Sequence, residues 1–409
     1  MPNRLPLFTI FLTVFLDIIG VGIATPTITP LLLRSSSGLL PVGYSLDERT
    51  ILLGYLLASF SIAGFFGGPL LGALSDRYGR KPVLIFSLVL TLAGYLIFAL
   101  GIEQRNLPML FLSRVVYGIG GGNLAIIQSA IADVSDTASR TKNFGLIGVA
   151  FGLGFIVGPT LGGELSNPDT VSWFTFSTPF VAAAMLAALN ILMVVVAFRE
   201  TLVTPILKPI TPLTGFQNIA EAFTSRRLRI LFAGVFFYTL GFSFYAQFFS
   251  VYLVKRFDFD QVRIGRYFGF VGLCVAIMQG LVVRRLSGRF SPQQILPVSV
   301  LGLSLALWCF LLPQQAWQIF LVAPLMAFFQ GLTAPNTTTL VSASAGGAEQ
   351  GKTLGINQSV TSAAFATPPI LAGYLETIDV RLPLVMAGLM ALIGWFFLVR
   401  FIRRETPVP

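Results

Sequence analysis

The stretch GALSDRYGRK, residues 72 to 81, places four charged side chains between two long apolar runs, residues 51 to 71 and 82 to 100. A short charged segment between two such runs is typical of a loop that joins membrane-spanning helices. The composition agrees, because 55% of the chain is hydrophobic, only 11% is charged, and the mean hydropathy is +0.82. We therefore predict an all-α membrane protein.

Apolar runs of this kind recur along the whole chain. Each is about 20 residues long, enough to cross a hydrocarbon core of roughly 30 Å as a helix, whereas the alternating segments of a membrane β-barrel are absent from the sequence. The first run is longer than the core of a signal peptide and lacks an A-x-A cleavage site, so we interpret it as a retained helix. The twelve predicted spans cover residues 6–31, 50–72, 82–101, 108–132, 143–165, 174–198, 228–253, 264–283, 293–313, 318–343, 353–376 and 381–402.

The distribution of basic residues predicts the orientation of these spans. With the N-terminus inside, the cytoplasmic loops receive 18 of the 27 Lys and Arg residues and the opposite loops receive 8. This positive-inside bias predicts that both termini are cytoplasmic. We expect the membrane to be a plasma membrane, that is, a bacterial inner membrane. The net charge of +10 therefore needs no nucleic-acid partner.

Histidine and cysteine usage argues against metal or acid–base chemistry. The sequence contains no histidine, which removes the commonest catalytic base and the commonest metal ligand. Cys274 and Cys309 lie in apolar segments, where a small hydrophobic residue is the ordinary interpretation. We expect no enzymatic activity, no metal and no cofactor.

The spans divide into two similar halves. The longest polar interval, residues 199–227, is rich in proline at its start and predicts a cytoplasmic linker between six-helix halves at 1–198 and 228–409. GPTLGGEL at 158–165 aligns with PPILAGYL at 368–375. Repeated halves are typical of secondary transporters whose binding site lies at the repeat interface.

Four motifs resemble those of the major facilitator superfamily. GALSDRYGRKPVLI resembles its loop signature G-x-L-a-D-r-x-G-r-k, and FLSRVVYGIGGG at 111–122 resembles its span 4 motif. FLDIIGVGIATPTITP at 15–30 resembles span 1 of the tetracycline-efflux-like branch of the drug:proton antiporters with twelve spans. The resemblance implies the major-facilitator fold, with twelve helices in two pseudo-symmetric halves. GLIGVAFGLGFIVGPTLGG at 145–163 resembles the span 5 antiporter motif at Gly145, Gly154, Gly158, Pro159, Gly162 and Gly163.

The resemblance also implies that the segment 72–81 is a conformational latch. Gly72 would allow span 2 to approach a neighbouring helix closely, and Asp76 would offset the positive N-terminal dipole of span 11, which begins near Lys352. The alternative is a solvated loop, whose exposed ion pairs contribute about 0–1 kcal/mol. The predicted latch residues are Gly72, Asp76, Arg77, Gly79, Arg80 and Lys81, with Asp133 and Asp136 as carboxylate partners of the basic side chains.

Glycine dominates the span 5 motif, although each glycine weakens an isolated helix by about 1 kcal/mol. Close packing with span 11 across the interface between the halves, with Pro159 and Pro369 bending the two helices, would compensate for this loss. Ordinary small-residue packing within one half is the alternative.

Polar side chains inside spans are costly and therefore mark candidate pathways. Each could instead form a hydrogen bond between helices worth about 0.6 kcal/mol. Aromatic residues on one face of span 7 indicate either a ligand-binding face or packing against lipid or a neighbouring helix. The family lines its cavity with spans 1, 4, 7 and 10, so we predict as cavity residues Asn123, Gln128, Tyr238, Phe242, Tyr245, Gln247, Asn336 and Gln358.

Two ionisable residues lie deepest in the predicted spans. Asp17 is about 11 residues into span 1, roughly 16 Å deep, and Arg114 lies at a similar depth in span 4. Ala327 aligns with Arg114 in the second half, so the pair is not a repeated scaffold element. A static buried ion pair is the alternative, but intramembrane ionisable groups more often mark proton pathways. We predict that Asp17 and Arg114 couple transport to protons.

These features predict a secondary transporter that exports small amphipathic organic compounds in exchange for protons by alternating access. Export of a native metabolite, such as a sugar or an amino acid, is the first alternative. A lipid-handling membrane protein without ion coupling is the alternative from another class. The expected partners are a small-molecule substrate, protons and the lipid bilayer, and we expect a monomer.

Overall fold

The structure, a computed structural model, describes residues 5–41, 43–135, 140–202, 214–224, 228–287, 289–344 and 350–405. Within these ranges every regular element is a helix, so the predicted all-α class is confirmed. A helix satisfies each backbone N–H and C=O internally, which is what an apolar run requires in a bilayer. The α-helices, numbered α1 to α16 in chain order, are Leu5–Leu33, Leu46–Tyr78, Arg80–Glu103, Leu107–Gly120, Asn123–Val134, Arg140–Leu165, Thr178–Ala197, Thr214–Thr224, Leu228–Phe257, Gln261–Ile277, Arg284–Ser287, Pro292–Cys309, Ile319–Ala343, Gln350–Ala366, Pro368–Ile378 and Leu382–Glu405.

Polar residues fix where several of these helices begin. The Ser45 hydroxyl accepts the N–H of Glu48 while the Glu48 carboxylate accepts the N–H of Ser45, which forms a capping box at the start of α2. Asn106 caps α4 by accepting the N–H of Met109 at 3.1 Å. These caps satisfy amides that have no partner inside the helix, so each helix starts at a defined residue.

Eleven helices in the described part of the chain are long and apolar enough to cross a membrane, with α4 and α5 counted together as one span. The predicted span at 353–376 is not among them, because it is divided at Thr367 into α14, of 17 residues, and α15, of 11 residues. Pro368 and Pro369 follow this residue, and two consecutive prolines remove two N–H donors from the helical ladder. The predicted span 353–376 is therefore present as two consecutive helices rather than one.

The chain forms two compact units. The first unit contains Met1–Thr214 together with Phe259–Gly272, and the second contains Gly215–Asp258 together with Leu273–Pro409. The segment 259–272 therefore packs with the first unit, although the sequence assigned it to the second half. Of the predicted linker at 199–227, residues 203–213 and 225–227 lie outside the described residues, and its boundaries stay a prediction.

In the first unit, α1 packs against α6 and α7, while α3 packs against α4 and α7. Ile10, Val14 and Ile18 recur every four residues on α1 and form a buried face. Leu88 of α3 and Ile126 of α5 belong to the same hydrophobic core. This core includes α1, which carries Asp17, and α5, which carries Asn123.

In the second unit, α9 packs along α16, and α12 packs against both α13 and α16. Two side-chain hydrogen bonds join α12 to the backbone of α16: the Ser304 hydroxyl donates to Gly388 O at 2.8 Å, and Trp308 Nε1 donates to Val385 O at 3.0 Å. The helix α8 lies at the start of this unit, where Asn218 Nδ2 donates to the hydroxyl of Ser359 on α14 at 3.1 Å.

Candidate functional site

Asp17 lies half-buried on α1 and is held by an amide rather than by a cation. Nδ2 of Asn123, the first residue of α5, donates a hydrogen bond to Asp17 Oδ2 at 3.2 Å. Asn123 itself is only 2% exposed. A neutral amide orients the carboxylate without pairing its charge, so the carboxylate can still accept a proton. Asn123, predicted to line the cavity, is a direct partner of Asp17.

Arg114 is held by aromatic rings. It is 5% exposed, and its guanidinium carbon lies 4.3 Å from the ring centroid of Phe98, 5.7 Å from that of Tyr117 and 5.9 Å from that of Phe180. Cation–π attraction to a desolvated guanidinium is worth about 2 kcal/mol. Across the described residues its side chain forms no ion pair, and its Nε has no hydrogen-bond partner. The static Asp17–Arg114 ion pair considered above is therefore wrong.

Two buried tyrosines lie beside the charged residues of the first unit. Tyr95 of α3 donates to the hydroxyl of Tyr117 at 3.0 Å, and the two ring centroids are 4.9 Å apart. Arg114 lies 5.7 Å from the ring centroid of Tyr117, and the Tyr95 hydroxyl lies against Gly20 of α1. Sequence reasoning missed this pair. Tyr117, three residues after Arg114 on the same helix, could have been found from that spacing, whereas Tyr95 gives no local signal.

The other cavity candidate of the first unit, Gln128, is half-buried on α5. In the second unit, two predicted cavity amides are engaged in the fold. Gln247 Nε2 donates to the Ser243 hydroxyl and to Phe365 O, both at 2.7 Å, which joins α9 to the end of α14. Asn336 is buried and donates to a carbonyl of its own helix at 2.8 Å. Gln358 is exposed on α14.

The aromatic face predicted on span 7 is mainly a packing face of the second unit. Tyr245 is 2% exposed, and its ring lies 5.3 Å from that of Phe310 at the end of α12. Tyr238 is buried where Gly394 of α16 comes close to its backbone. Phe242 alone of the three predicted residues is half-buried.

The segment 72–81 is more regular than the predicted loop. Helix α2 continues to Tyr78 and α3 begins at Arg80, so only Gly79 separates them, with a φ of +104° that favours glycine. At Gly72 a Cβ would meet only Ala125 Cβ among the described atoms, at an ordinary 3.8 Å, so the close helix approach predicted there is not present.

Arg80 is the centre of an ion network within the first unit. It is 4% exposed, and its guanidinium binds the carboxylate of Asp76, the carboxylate of Asp133 at 3.0 Å and the hydroxyl of Ser75 at 2.8 Å. The predicted pairing with Asp133 is therefore formed by Arg80, whereas Asp136 lies outside the described residues. The other two cations lie elsewhere: Lys81 Nζ donates to Val195 O at 2.8 Å, and the exposed Arg77 lies 5.3 Å above the ring of Tyr78.

Glu200, which the sequence analysis did not select, caps the start of α3. Its carboxylate accepts the N–H groups of Arg80 at 2.8 Å and Lys81 at 3.0 Å, and those of Thr201 and Leu202 at 2.9 Å. Partial burial raises the pKa of Glu200. The four backbone donors together lower it by more than burial raises it, so the pKa lies below its ordinary value.

We expect the stability that Glu200 provides to depend on pH. Its pKa is lower in the folded chain than in the unfolded chain, so its contribution is complete above the ordinary pKa of about 4.3 and declines as the pH falls through the folded value. At pH 7, Glu200→Gln should lower the free energy of unfolding by about 1 kcal/mol, the usual cost of losing a helix cap, and so lower the melting temperature. The loss should become smaller as the pH approaches 3. Thermal unfolding in detergent measures this, with the exposed Asp169→Asn as control; a loss independent of pH would contradict it.

The glycine-rich span 5 motif packs on two neighbours within the first unit. On one face Gly154, Gly158 and Gly162 lie so close to α1 that a Cβ would come within 2.1 to 2.8 Å of its atoms. On another face a Cβ at Gly163 would lie 2.7 Å from Gln261 O. Within the first unit the motif therefore packs closely on α1 and on the segment 261–272, and the expected packing with span 11 stays a prediction. The motif positions on α6 are Gly145, Gly154, Gly158, Pro159, Gly162 and Gly163.

We expect Gly162→Ala to destabilise the first unit strongly. The new Cβ would lie 2.1 Å from the Ile23 carbonyl oxygen, a backbone atom, and overpacking of this kind costs about 1–3 kcal/mol. The matched control is Gly148→Ala on the same helix, where no described atom lies within 4 Å of the added Cβ and helix propensity favours alanine by about 1 kcal/mol. Thermal unfolding in detergent should separate the two variants, and equal melting temperatures would refute the contact.

A second buried charge pair, which sequence reasoning missed, lies in the second unit. Lys255 Nζ in the last turn of α9 is 3.2 Å from Glu376 Oε2 on α15, and their side chains are 11% and 1% exposed. Glu376 lines a small cavity together with apolar residues that include Phe248 and Leu384. The available signal was Glu376 itself, the sole acidic residue of the predicted span 353–376.

Comparison with known proteins identifies the family. Residues 10–324 match the Major Facilitator Superfamily model. The chain is 29% identical over 391 residues to the class H tetracycline resistance protein of Pasteurella multocida, covering 94% of this chain and 92% of that protein. It is 30% identical over 374 residues to the class C tetracycline resistance protein of Escherichia coli, covering 91% and 89%. The crystal structure of the human organic anion transporter MFSD10 (TETRAN) has a TM-score of 0.74 at 24% identity, covering 97% of this chain and 100% of that chain.

The chain belongs to the Major Facilitator Superfamily. It is therefore a multi-pass membrane transporter for a small-molecule substrate and not an enzyme, as predicted. Transporters of this superfamily use ion gradients and require no cofactor, which also agrees with the prediction.

Proposed function

We propose that this chain exports small amphipathic, drug-like organic compounds in exchange for protons. The observation that carries the proposal is the environment of Asp17, a carboxylate within a membrane-spanning helix whose hydrogen-bond donor is the neutral amide of Asn123. A carboxylate without a cationic partner is costly inside a membrane, and such residues commonly mark sites that bind or relay protons. The relatives named tetracycline resistance proteins support tetracycline as a representative cargo.

In this mechanism Asp17 is protonated from outside and releases its proton to the cytoplasm. Binding of cargo and binding of the proton exclude each other, which is the condition for exchange rather than co-transport. Arg114 carries a second buried charge on α4 and forms no ion pair in the described residues, so in this mechanism it is the cation that couples to Asp17. The sites of proton coupling are thus Asp17 and Arg114.

Three of the predicted cavity residues have enough exposed surface to contact a transported compound. Gln128 and Phe242 are half-buried and Gln358 is exposed, so these side chains have the free surface that contact with a compound requires. Asn123, Gln247 and the buried tyrosines of α9 support the site through hydrogen bonds and packing.

We further propose that both termini are cytoplasmic, that the protein lies in a bacterial inner membrane, and that the Arg80 network acts as the conformational latch.

Reconstitution tests the proposal. Purified protein in liposomes that contain a pH-sensitive dye is given a pH gradient, and tetracycline flux and dye signal are recorded together. We expect tetracycline to move against its gradient while protons move in the opposite direction, and both fluxes to stop when an ionophore collapses the gradient. Tetracycline flux without proton movement would overturn the coupling. Proton flux stimulated instead by a sugar or an amino acid would favour a metabolite exporter, and lipid redistribution without proton flux would favour lipid handling.

A further inference from the structure

The two hydroxyls of Tyr95 and Tyr117 are fully enclosed within the first unit. Tyr95 is 2% exposed and Tyr117 is 3% exposed, and their hydroxyls are 3.0 Å apart. The Tyr95 hydroxyl also lies against α1, because a Cβ at Gly20 would be only 2.7 Å from its oxygen. Gly20 is three residues beyond Asp17, on the same face of the helix. One end of the hydroxyl pair therefore adjoins the helix face that carries Asp17.

The other end of the pair adjoins Arg114. The guanidinium carbon is 5.7 Å from the ring centroid of Tyr117 and three residues earlier on α4. The ring of Phe98 lies nearer, at 4.3 Å. Tyr117 is thus the residue that has both a ring in contact with this cation and a hydroxyl bonded to Tyr95.

A pair of hydroxyls can carry the effect of one charge to another by rotating. Each hydroxyl donates one hydrogen and accepts another, so the pair can align its O–H bonds in either direction. When Asp17 is ionised, Tyr117 donates to Tyr95 and Tyr95 turns its hydrogen towards the carboxylate. Hydrogen bonds in such a chain polarise one another, most strongly where water is excluded.

We propose that the Tyr95–Tyr117 hydroxyl pair positions the proton-binding step at Asp17 by relaying the field of Arg114 to the carboxylate. This inference rests on the proposed function, since it assigns the residues that set when Asp17 takes up its proton. The proton itself passes between water and the carboxylate, and each tyrosine keeps its own proton and only rotates its O–H bond. Tyr95 and Tyr117 are positioning residues, because they act through Asp17.

On the described helices that pack around Asp17, the other charged residues lie towards the helix ends, such as Arg80 and Glu103 of α3, Asp133 of α5 and Glu164 of α6. Helix α3 contributes Tyr95, α4 contributes Arg114 and Tyr117, and α5 contributes the neutral Asn123. The sequence has no ionisable residue in 147–163 of α6 or in 178–197 of α7. On α2 the acidic and basic residues lie towards the two ends of the helix.

The test is a pH titration of Asp17 in the full chain, purified in detergent and followed by infrared difference spectroscopy. The C=O band of protonated Asp17 is assigned by its loss in Asp17→Asn. Tyr95→Phe and Tyr117→Phe each remove one hydroxyl and keep the ring. We expect each to raise the pH midpoint of the band by roughly 1 unit, a tenfold change in proton affinity, because the ionised form loses the aligned O–H dipoles that favour it. The double variant should shift no further than the larger single one, because the hydroxyls act in series.

The controls separate this role from general packing. Tyr267→Phe removes another buried tyrosine hydroxyl of the first unit and should leave the midpoint unchanged. Gly20→Ala, which crowds the Tyr95 hydroxyl, should raise the midpoint in the wild type and have no further effect in Tyr95→Phe. Unchanged midpoints in the tyrosine variants, or shifts that simply add, would overturn the proposal.

The titration needs no cargo, so it is independent of the export assay. If the wild-type protein does not exchange tetracycline for protons, the proposed function fails, whereas the titration still tests the link between the tyrosines and Asp17. If exchange occurs but the tyrosine variants titrate like the wild type, only the relay fails.

Discussion

Asp17→Asn is expected to abolish uphill export while leaving the fold and cargo binding intact. Asparagine has nearly the same size and keeps an oxygen that can accept the Asn123 amide hydrogen, but it cannot bind a transferable proton. One-for-one exchange with protons across a gradient of 2 pH units can build up a cargo gradient of about 100-fold, since each unit is worth 1.36 kcal/mol. We expect the wild type to approach this ratio and the variant to stay near 1.

Two measurements make the test specific. Tetracycline accumulation in proteoliposomes reports uphill transport, and exchange of labelled for unlabelled tetracycline at equal concentrations reports the cargo cycle without a proton. Asp169→Asn, on an exposed loop outside the helices, is the matched control and should accumulate like the wild type. Gradient-driven accumulation by Asp17→Asn at the level of the wild type would exclude Asp17 as the coupling group.

The fold could be predicted because a bilayer leaves an apolar run little choice. Eleven of the twelve predicted spans coincide with candidate membrane helices, and the exception is divided beside Pro368 and Pro369, which the sequence displays. What the apolar pattern did not provide was the rotation of each helix about its axis. Where every face is apolar, periodicity does not indicate which side meets a neighbouring helix.

That missing rotation explains the errors in the site. The sequence predicted Asp17 and Arg114 at similar depth and suggested a pair, whereas Arg114 packs against Phe98 and Phe180, and Asp17 meets Asn123. These contacts join residues far apart in the chain and depend on helix packing. Glu200 was missed for the same reason, since its hydrogen bonds to α3 cross 120 residues.

Glu376→Gln is expected to destabilise the second unit by about 3–5 kcal/mol. The substitution removes the Glu376 charge from its ion pair with the buried Lys255 ammonium, and breaking a buried ion pair from one side costs this much because the remaining charge is desolvated. The companion variant Lys255→Met removes the cation and keeps an apolar stem of similar length. Alone, Lys255→Met removes the cation from the buried Glu376 carboxylate, and it should lower the free energy of unfolding by a similar amount.

The double variant Lys255→Met with Glu376→Gln decides between a charge effect and a packing effect. If the cost arises from an unpaired charge, the double variant should recover most of the stability lost by either single one, because replacing a whole buried pair is often neutral or stabilising. The matched control is the more exposed pair of Arg266 and Glu164, with side chains 64% and 31% exposed, where Glu164→Gln should cost no more than about 1 kcal/mol. Thermal unfolding of the five proteins in one detergent gives the comparison. Additive losses in the double variant would show that Lys255 and Glu376 stabilise the second unit independently, and would exclude the pair as the source of the effect.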